Sequence, residues 1–186
     1  MIFATPLALA LAAIAIYGGV RFPVASLPIV ISLVVYAAVL FREPRLWLFF
    51  VPALLPILNL APWSGRFFFD EFDLFLLMTV AIWLLRSSSH PQMRLAPAAA
   101  TLVFLFALAF CASLAIGLSP FDAVDDNAFI NYNSKYNGLR VGKGLLWGLV
   151  LLFLARSDLA QDDEALNRYW VPGMLVGLAG VIAVAL

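Results

Sequence analysis

The chain has 186 residues, of which 65% are hydrophobic and only 12% charged, with a formal net charge of zero. A soluble domain of ordinary composition is roughly 45–50% apolar and about 25% charged, and cannot hide this much apolar surface; a bilayer accepts it directly. Zero net charge offers no field for nucleic acid; one cysteine (Cys111) excludes an intrachain disulfide, and a single histidine (His90) argues against a multi-histidine metal site or a Ser-His-Asp triad within these residues.

No Lys or Arg precedes Arg21, so the positive head of a signal peptide is missing. The first apolar run, residues 2–20, therefore reads as a retained helix. A spanning helix needs about 20 mostly apolar residues. Uncharged runs broken by charge clusters predict seven: 2–20, 22–41, 46–62, 67–85, 95–118, 139–155 and 171–186. The expectation is one all-α, polytopic transmembrane bundle of six to seven helices over 1–186. The third run carries Pro52, Pro56 and Pro62, each of which removes a backbone donor and tends to kink a helix. The fourth has only 12 residues between Asp73 and Arg86, so residues 67–73 must join the span or lie along the interface. The seventh, 16 residues from Val171, is short of a span, and the chain reads as the N-terminal part of a longer protein.

Every Lys and Arg lies outside these runs or at their edges. Arg42, Arg45, Arg86, Arg94, Arg156 and Arg168 follow the even-numbered runs; Arg21, Arg66, Lys135, Arg140 and Lys143 follow the odd-numbered ones. Setting aside the long 119–138 connection and its flank leaves six against two. The positive-inside rule then places the N-terminus in the cytoplasm and the 119–138 connection on the other side. Trp47, Trp63, Trp83, Trp147, Tyr169 and Trp170 fall near run ends, where aromatic rings anchor at the interface.

Three polar constellations stand out. Arg66-Phe-Phe-Phe-Asp70-Glu71-Phe-Asp73 opens the fourth run. Its carboxylates either bind a cation, proton or sugar hydroxyl at the membrane edge, or cap the helix. Asp73 lies deepest. The second, 119–143, mixes Asp122, Asp125, Asp126 and four asparagines with Phe129, Tyr132 and Tyr136, a combination suited to carbohydrate. It ends in Arg140 and Lys143, three residues apart on one helix face, among Gly138, Gly142 and Gly144. Two cations at a helix start can hold a diphosphate; they can equally snorkel to the interface. The third, Arg156–Arg168 with Asp158, Asp162, Asp163 and Glu164, is close to the DxxDD pattern of a metal-diphosphate site but reads as a short surface helix with a charged face. Glycine pairs 138/142, 144/148 and 173/177 predict close helix packing.

The Arg66–Leu74 run, and Asn137-Gly-Leu-Arg-Val-Gly-Lys-Gly-Leu-Leu-Trp147 entering a helix, resemble the N-terminal half of O-antigen ligase and polymerase-type bacterial membrane proteins. The resemblance implies a bundle of ten or more helices in the bacterial inner membrane. It also implies a polyprenyl-diphosphate-linked glycan as donor and a metal-independent glycosyl transfer on the outer face. The family's essential arginines and histidine lie in a large loop of the C-terminal half, so catalytic residues are expected beyond this segment. Arg140, Lys143, Arg66, Asp70, Glu71 and Asp73 are the candidate substrate-binding residues. No cofactor or metal is expected; the partners are the bilayer, the lipid-linked glycan and other membrane proteins. Two other readings are half of a transporter or channel, from the proline-broken third run and acidic fourth, and a non-catalytic membrane subunit. The chain itself weighs 20.3 kDa. Intact mass spectrometry of the protein from its native membrane is expected to give a substantially larger value; a mass near 20.3 kDa removes the ligase reading.

Overall fold

The computed structural model describes residues 4–60, 69–86, 96–121, 124, 128, 133–159, 162 and 164–185. These form α1 (Ala4–Val20), α2 (Ser26–Arg42), a 3-10 turn (Pro44–Leu46), α3 (Trp47–Leu60), α4 (Glu71–Arg86), α5 (Pro97–Leu118), α6 (Asn137–Leu159), a π turn (Leu166–Trp170) and α7 (Val171–Ala185). No strand occurs among the described residues. The protein is all-helical, as its composition predicts.

The number of spans differs from the expectation. Among the described residues only α5, with 22 residues, and α6, with 23, are both long and apolar enough to cross a membrane, not six or seven helices. The remaining five run from 14 to 17 residues, about 21–26 Å at 1.5 Å per residue against a hydrocarbon core about 30 Å thick. Uncharged runs overestimate helices because turns are also uncharged. Pro23 and left-handed Ala25 (φ 55°) delay α2 to Ser26, and a cap at Asp70 delays α4 to Glu71.

The chain forms two compact units. The first comprises residues 1–90 and 155–186. In it α1 packs on α4 and α2, α2 on α4, and α3 on α7 and α4. Leu33, Leu40, Trp47, Leu48, Leu74 and Leu76 fill its interior. Gly18 lets α1 approach α4: a Cβ there would lie 2.8 Å from Leu74 Cδ2. Pro52 and Pro56 do not break α3, which is continuous through both. Pro56 has no N–H to offer the Pro52 carbonyl four residues earlier. That carbonyl faces Gly177 of α7, where an added Cβ would lie 2.6 Å away. Gly173 meets the Phe49 carbonyl in the same way, and Gly180 meets Ile57. The matched numbers rise together (173 with 49, 177 with 52, 180 with 57), so α3 and α7 run parallel.

The second unit comprises residues 91–154. Leu118, Ala128 and Tyr136 form its small buried cluster, with Leu114 and Leu139 packed against it. Leu114 fills the space over Gly138 and Gly142. Gly144 and Gly148, expected to pack closely, have nothing within 4 Å of where a Cβ would stand. The rest of α5 is bare: Leu102, Phe104, Phe106 and Ile116 are 60–75% exposed. The outward faces of α1 and α2 are similarly open at Leu9, Ile14, Ile31, Val34 and Val35.

A methyl group at Gly177 must displace backbone, whereas at Gly144 it meets open space. Gly177→Ala is expected to destabilise the protein by about 1–3 kcal/mol, while Gly144→Ala leaves stability unchanged or slightly raised. Thermal unfolding in detergent, followed by circular dichroism, compares the two.

Candidate functional site

Asp70 is the N-cap of α4 and Asp73 its third helical residue. Asp70 Oδ1 accepts the Asp73 N–H at 3.0 Å, and Asp73 Oδ2 accepts the Asp70 N–H at 2.9 Å. This is a reciprocal capping box, with aspartate in the place usually held by glutamate. It satisfies two backbone donors that would otherwise face an apolar surrounding, and negative charge complements the positive end of the helix dipole. Asp73, expected to be the deepest carboxylate, is 1% exposed, and Glu71 lies half-buried beside it in the first turn. Of the two roles open to this acidic run, the geometry assigns capping to Asp70 and Asp73. Arg66 lies outside the described residues.

Arg140 and Lys143 are half-buried, one turn apart on α6. The glycines around them do not form an open cradle, because Leu114 occupies the space over Gly138 and Gly142. The first donors of α6 are already bonded: the amides of Asn137, Gly138 and Leu139 reach the carbonyls of Ser134, Lys135 and Tyr136, each at 3.0 Å. Ser134 Oγ accepts the Tyr136 amide at 3.2 Å, and Lys135 Nζ donates to the Pro120 carbonyl at 3.2 Å. Any anion here is held by the two side chains rather than by the helix amides. Tyr136, read as a sugar-stacking ring, is buried against Leu118 and Ala128. Asp122, Asp125, Asp126, Asn127, Phe129, Asn131 and Tyr132 lie outside the described residues, as does His90. Arg140 and Lys143 belong to the second unit; Asp70, Glu71 and Asp73 belong to the first.

A third arrangement departs from the surface helix expected over Asp158–Arg168. Asp158 is 9% exposed, and its two oxygens take two different indoles. Trp47 Nε1 donates to Oδ2 at 2.7 Å and Trp83 Nε1 to Oδ1 at 3.3 Å. Both tryptophans, read from the sequence as lipid-facing anchors, are buried. Asp162 Oδ2 pairs with Arg45 at 3.0 Å and approaches Arg168 at 3.9 Å; Arg168 also pairs with Glu164 at 3.6 Å. Nearby, the Arg86 guanidinium lies 5.2 Å from the Phe41 ring centre. The sequence signal was present in part: two tryptophans at run ends face a carboxylate at another run end. Only the fold pairs them.

Deeper in the first unit, Thr79 Oγ1 donates to the Phe75 carbonyl at 2.8 Å. The Tyr36 hydroxyl, 2.7 Å from Thr79 Oγ1, is therefore the donor of that pair. Among the described residues no group of three or more His, Cys, Asp or Glu is placed to hold a metal ion.

No family model, no curated protein and no solved structure matches this chain.

If Asp70 and Asp73 act as caps, removing either acceptor costs about 0.5–2 kcal/mol. Asp70→Ala and Asp73→Ala are each expected to lower the unfolding temperature. Asp73→Asn keeps an acceptor oxygen and is expected to lose less. An Asp73→Asn loss equal to that of alanine, measured by the same thermal melt, contradicts the capping role.

Proposed function

We propose that the chain is a multi-pass protein of the bacterial inner membrane that takes part in surface-polysaccharide or O-antigen assembly, with Arg140 and Lys143 holding the diphosphate of a polyprenyl-linked glycan. The observation that carries the membrane half of this reading is the direction of the helices. Arg45, Trp47, Trp83, Arg86, Asp158 and Arg168 gather at one end of the first unit. The start of α4 lies at the other end, beside Gly18 near the close of α1. The chain leaves the basic end after Arg86 and is back there at Asp158. Between them lie α5 and α6, the two helices long enough to span, and an even number of crossings returns a chain to the side it left. Apolar side chains bare around α5 and along α1 and α2 suit hydrocarbon and not water.

The finer reading, six or seven spans, needs the shorter helices to cross as well. Helices of 14–17 residues do so where the bilayer thins or flanking arginines reach outward. The basic end then faces the cytoplasm, and α6 opens on the periplasmic side with its two cations at the membrane edge.

A non-catalytic subunit is the second reading. It is favoured by the way the carboxylates of the first unit are engaged, Asp70 and Asp73 in a cap and Asp158 between indoles. The transporter reading loses part of its basis, since α3 is not discontinuous at its prolines. The Arg140→Ala/Lys143→Ala double variant of the complete protein is expected to lower glycan transfer at least about tenfold, the loss of one charge-assisted pair, with its membrane level unchanged. Unimpaired transfer removes both residues from the mechanism and leaves the subunit reading.

A further inference from the structure

The outward face of α2 is ordered along its length. Leu27, Ile31, Val34, Val35 and Ala38 recur every three or four residues, so they line one side of the helix. All five are exposed, the four larger ones by more than half. The track ends at Phe41, also half exposed, and at Arg42 in the last turn. From Leu27 to Arg42 it is about 22 Å long at 1.5 Å per residue.

The fold brings a second cation to the same end. The α4 helix packs on α2, and Arg86, its last residue, sets its guanidinium 5.2 Å from the Phe41 ring centre. Arg42 and Arg86 are both exposed. Glu43 follows Arg42 in sequence, yet among the described residues no ion pair includes Arg42, Glu43 or Arg86. The pairs at this end are those of Arg45 and Arg168 with Asp162 and Glu164. The negative ends of the α2 and α4 dipoles offset part of the two charges, with no carboxylate to neutralise them. A guanidinium matches phosphate oxygens with a fork of parallel donors. A soluble anion would leave the apolar track bare, and a hydrocarbon chain alone would leave the arginines without an anion. A phospholipid whose head carries net negative charge fills both parts, and basic groups between helix ends hold such heads.

We propose that the C-terminal end of α2 is a binding site for an anionic phospholipid, with Arg42 and Arg86 on the head phosphate and Leu27, Ile31, Val34, Val35 and Phe41 along an acyl chain. The site rests on the membrane part of the function proposed above, and not on Arg140 or Lys143. To test it, the full chain is reconstituted into vesicles of equal phosphatidylglycerol and phosphatidylcholine and extracted in mild detergent, and the lipid it retains is identified by mass spectrometry. Wild type is expected to retain phosphatidylglycerol at least about tenfold over phosphatidylcholine, since each arginine near an anionic surface contributes a several-fold preference. Arg42→Gln/Arg86→Gln is expected to return the ratio to that of the vesicles, with helix content by circular dichroism unchanged. Arg156→Gln/Arg168→Gln removes the same charge from exposed positions and is expected to keep the wild-type ratio; a loss as large as that of the first pair means diffuse surface charge and overturns the site. A wild-type ratio equal to that of the vesicles, or one unchanged in Arg42→Gln/Arg86→Gln, overturns the site and leaves the membrane reading standing. A chain that enters no vesicle overturns the membrane reading and the site with it. Release of the retained lipid by inorganic phosphate at equal concentration means that the arginines take a free anion, and also overturns the site. Where the double variant loses helix content, Arg42→Gln alone decides, because Arg42 takes no part in those ion pairs, and a wild-type ratio there overturns the proposal.

Discussion

The first unit depends on the seating of α7 against α3. These helices are more than a hundred residues apart in sequence, and the face between them has almost no side-chain thickness. Gly173 and Gly177 place α7 directly over the carbonyls of Phe49 and Pro52. The prolines that threaten α3 create the reason for this approach. Pro56 cannot donate to the Pro52 carbonyl, which in hydrocarbon is a costly group to leave without company. A glycine Cα brings weakly polar C–H groups close to that oxygen, which any larger residue would block.

Five polar side chains of the first unit, those of Asp70, Asp73, Tyr36, Thr79 and Asp158, each bond a specific partner on the protein. Asp70 and Asp73 take each other's amides, Tyr36 donates to Thr79 while Thr79 donates to Phe75, and Asp158 takes two indoles. Tyr36 also sets its ring edge-on to Phe50 and Phe75, so the hydroxyl is held by packing on both sides. Such closed pairs are what a low-dielectric surrounding demands, because an unsatisfied buried group costs more there than its bond returns in water. The carboxylates of Asp70, Asp73 and Asp158 hold helix ends in place, and the ligand reading proposed above rests on the cations at the start of α6.

The helical class and the rough position of every helix were legible in the sequence, since uncharged apolar runs and charge clusters alternate plainly. The number of spanning helices was not, because hydropathy does not see a cap. Asp70 lies inside the expected run 67–85, yet it fixes where α4 begins. The glycine pairs show the same limit. Spacing predicted packing equally at 173/177, 138/142 and 144/148; only contacts from α3 and Leu114 distinguish the first two from the third. The Asp158 site was illegible for a stronger reason. Its three members are separated by 36 and 75 residues, and each alone has an ordinary reading: an interfacial tryptophan or a solvated aspartate. Arg140 and Lys143 were singled out by charge and spacing, but the filled glycine space beside them could be known only from the position of α5.

The charged ends of the first unit bear on orientation more strongly than the sequence tally did. Six basic residues against five is nearly a tie. The fold sorts them by place. Arg45, Arg86 and Arg168 share one end through contacts with Asp162, Phe41 and Glu164, so the C-terminal ends of α2, α4 and α6 lie together. At the other end the described cation is Arg21, 5.5 Å from the Tyr17 ring centre, beside the acidic start of α4. The sides therefore differ in number of cations. A helix start bearing Asp70, Glu71 and Asp73 is also the end whose backbone dipole is positive, so the carboxylates there are balanced locally and add little to the field across a membrane. The end that carries Arg45, Arg86 and Arg168 balances its cations against Asp158, Asp162 and Glu164, so under the membrane reading proposed above it is the number of arginines, which the positive-inside rule counts, and not net charge that would assign this end to the cytoplasm.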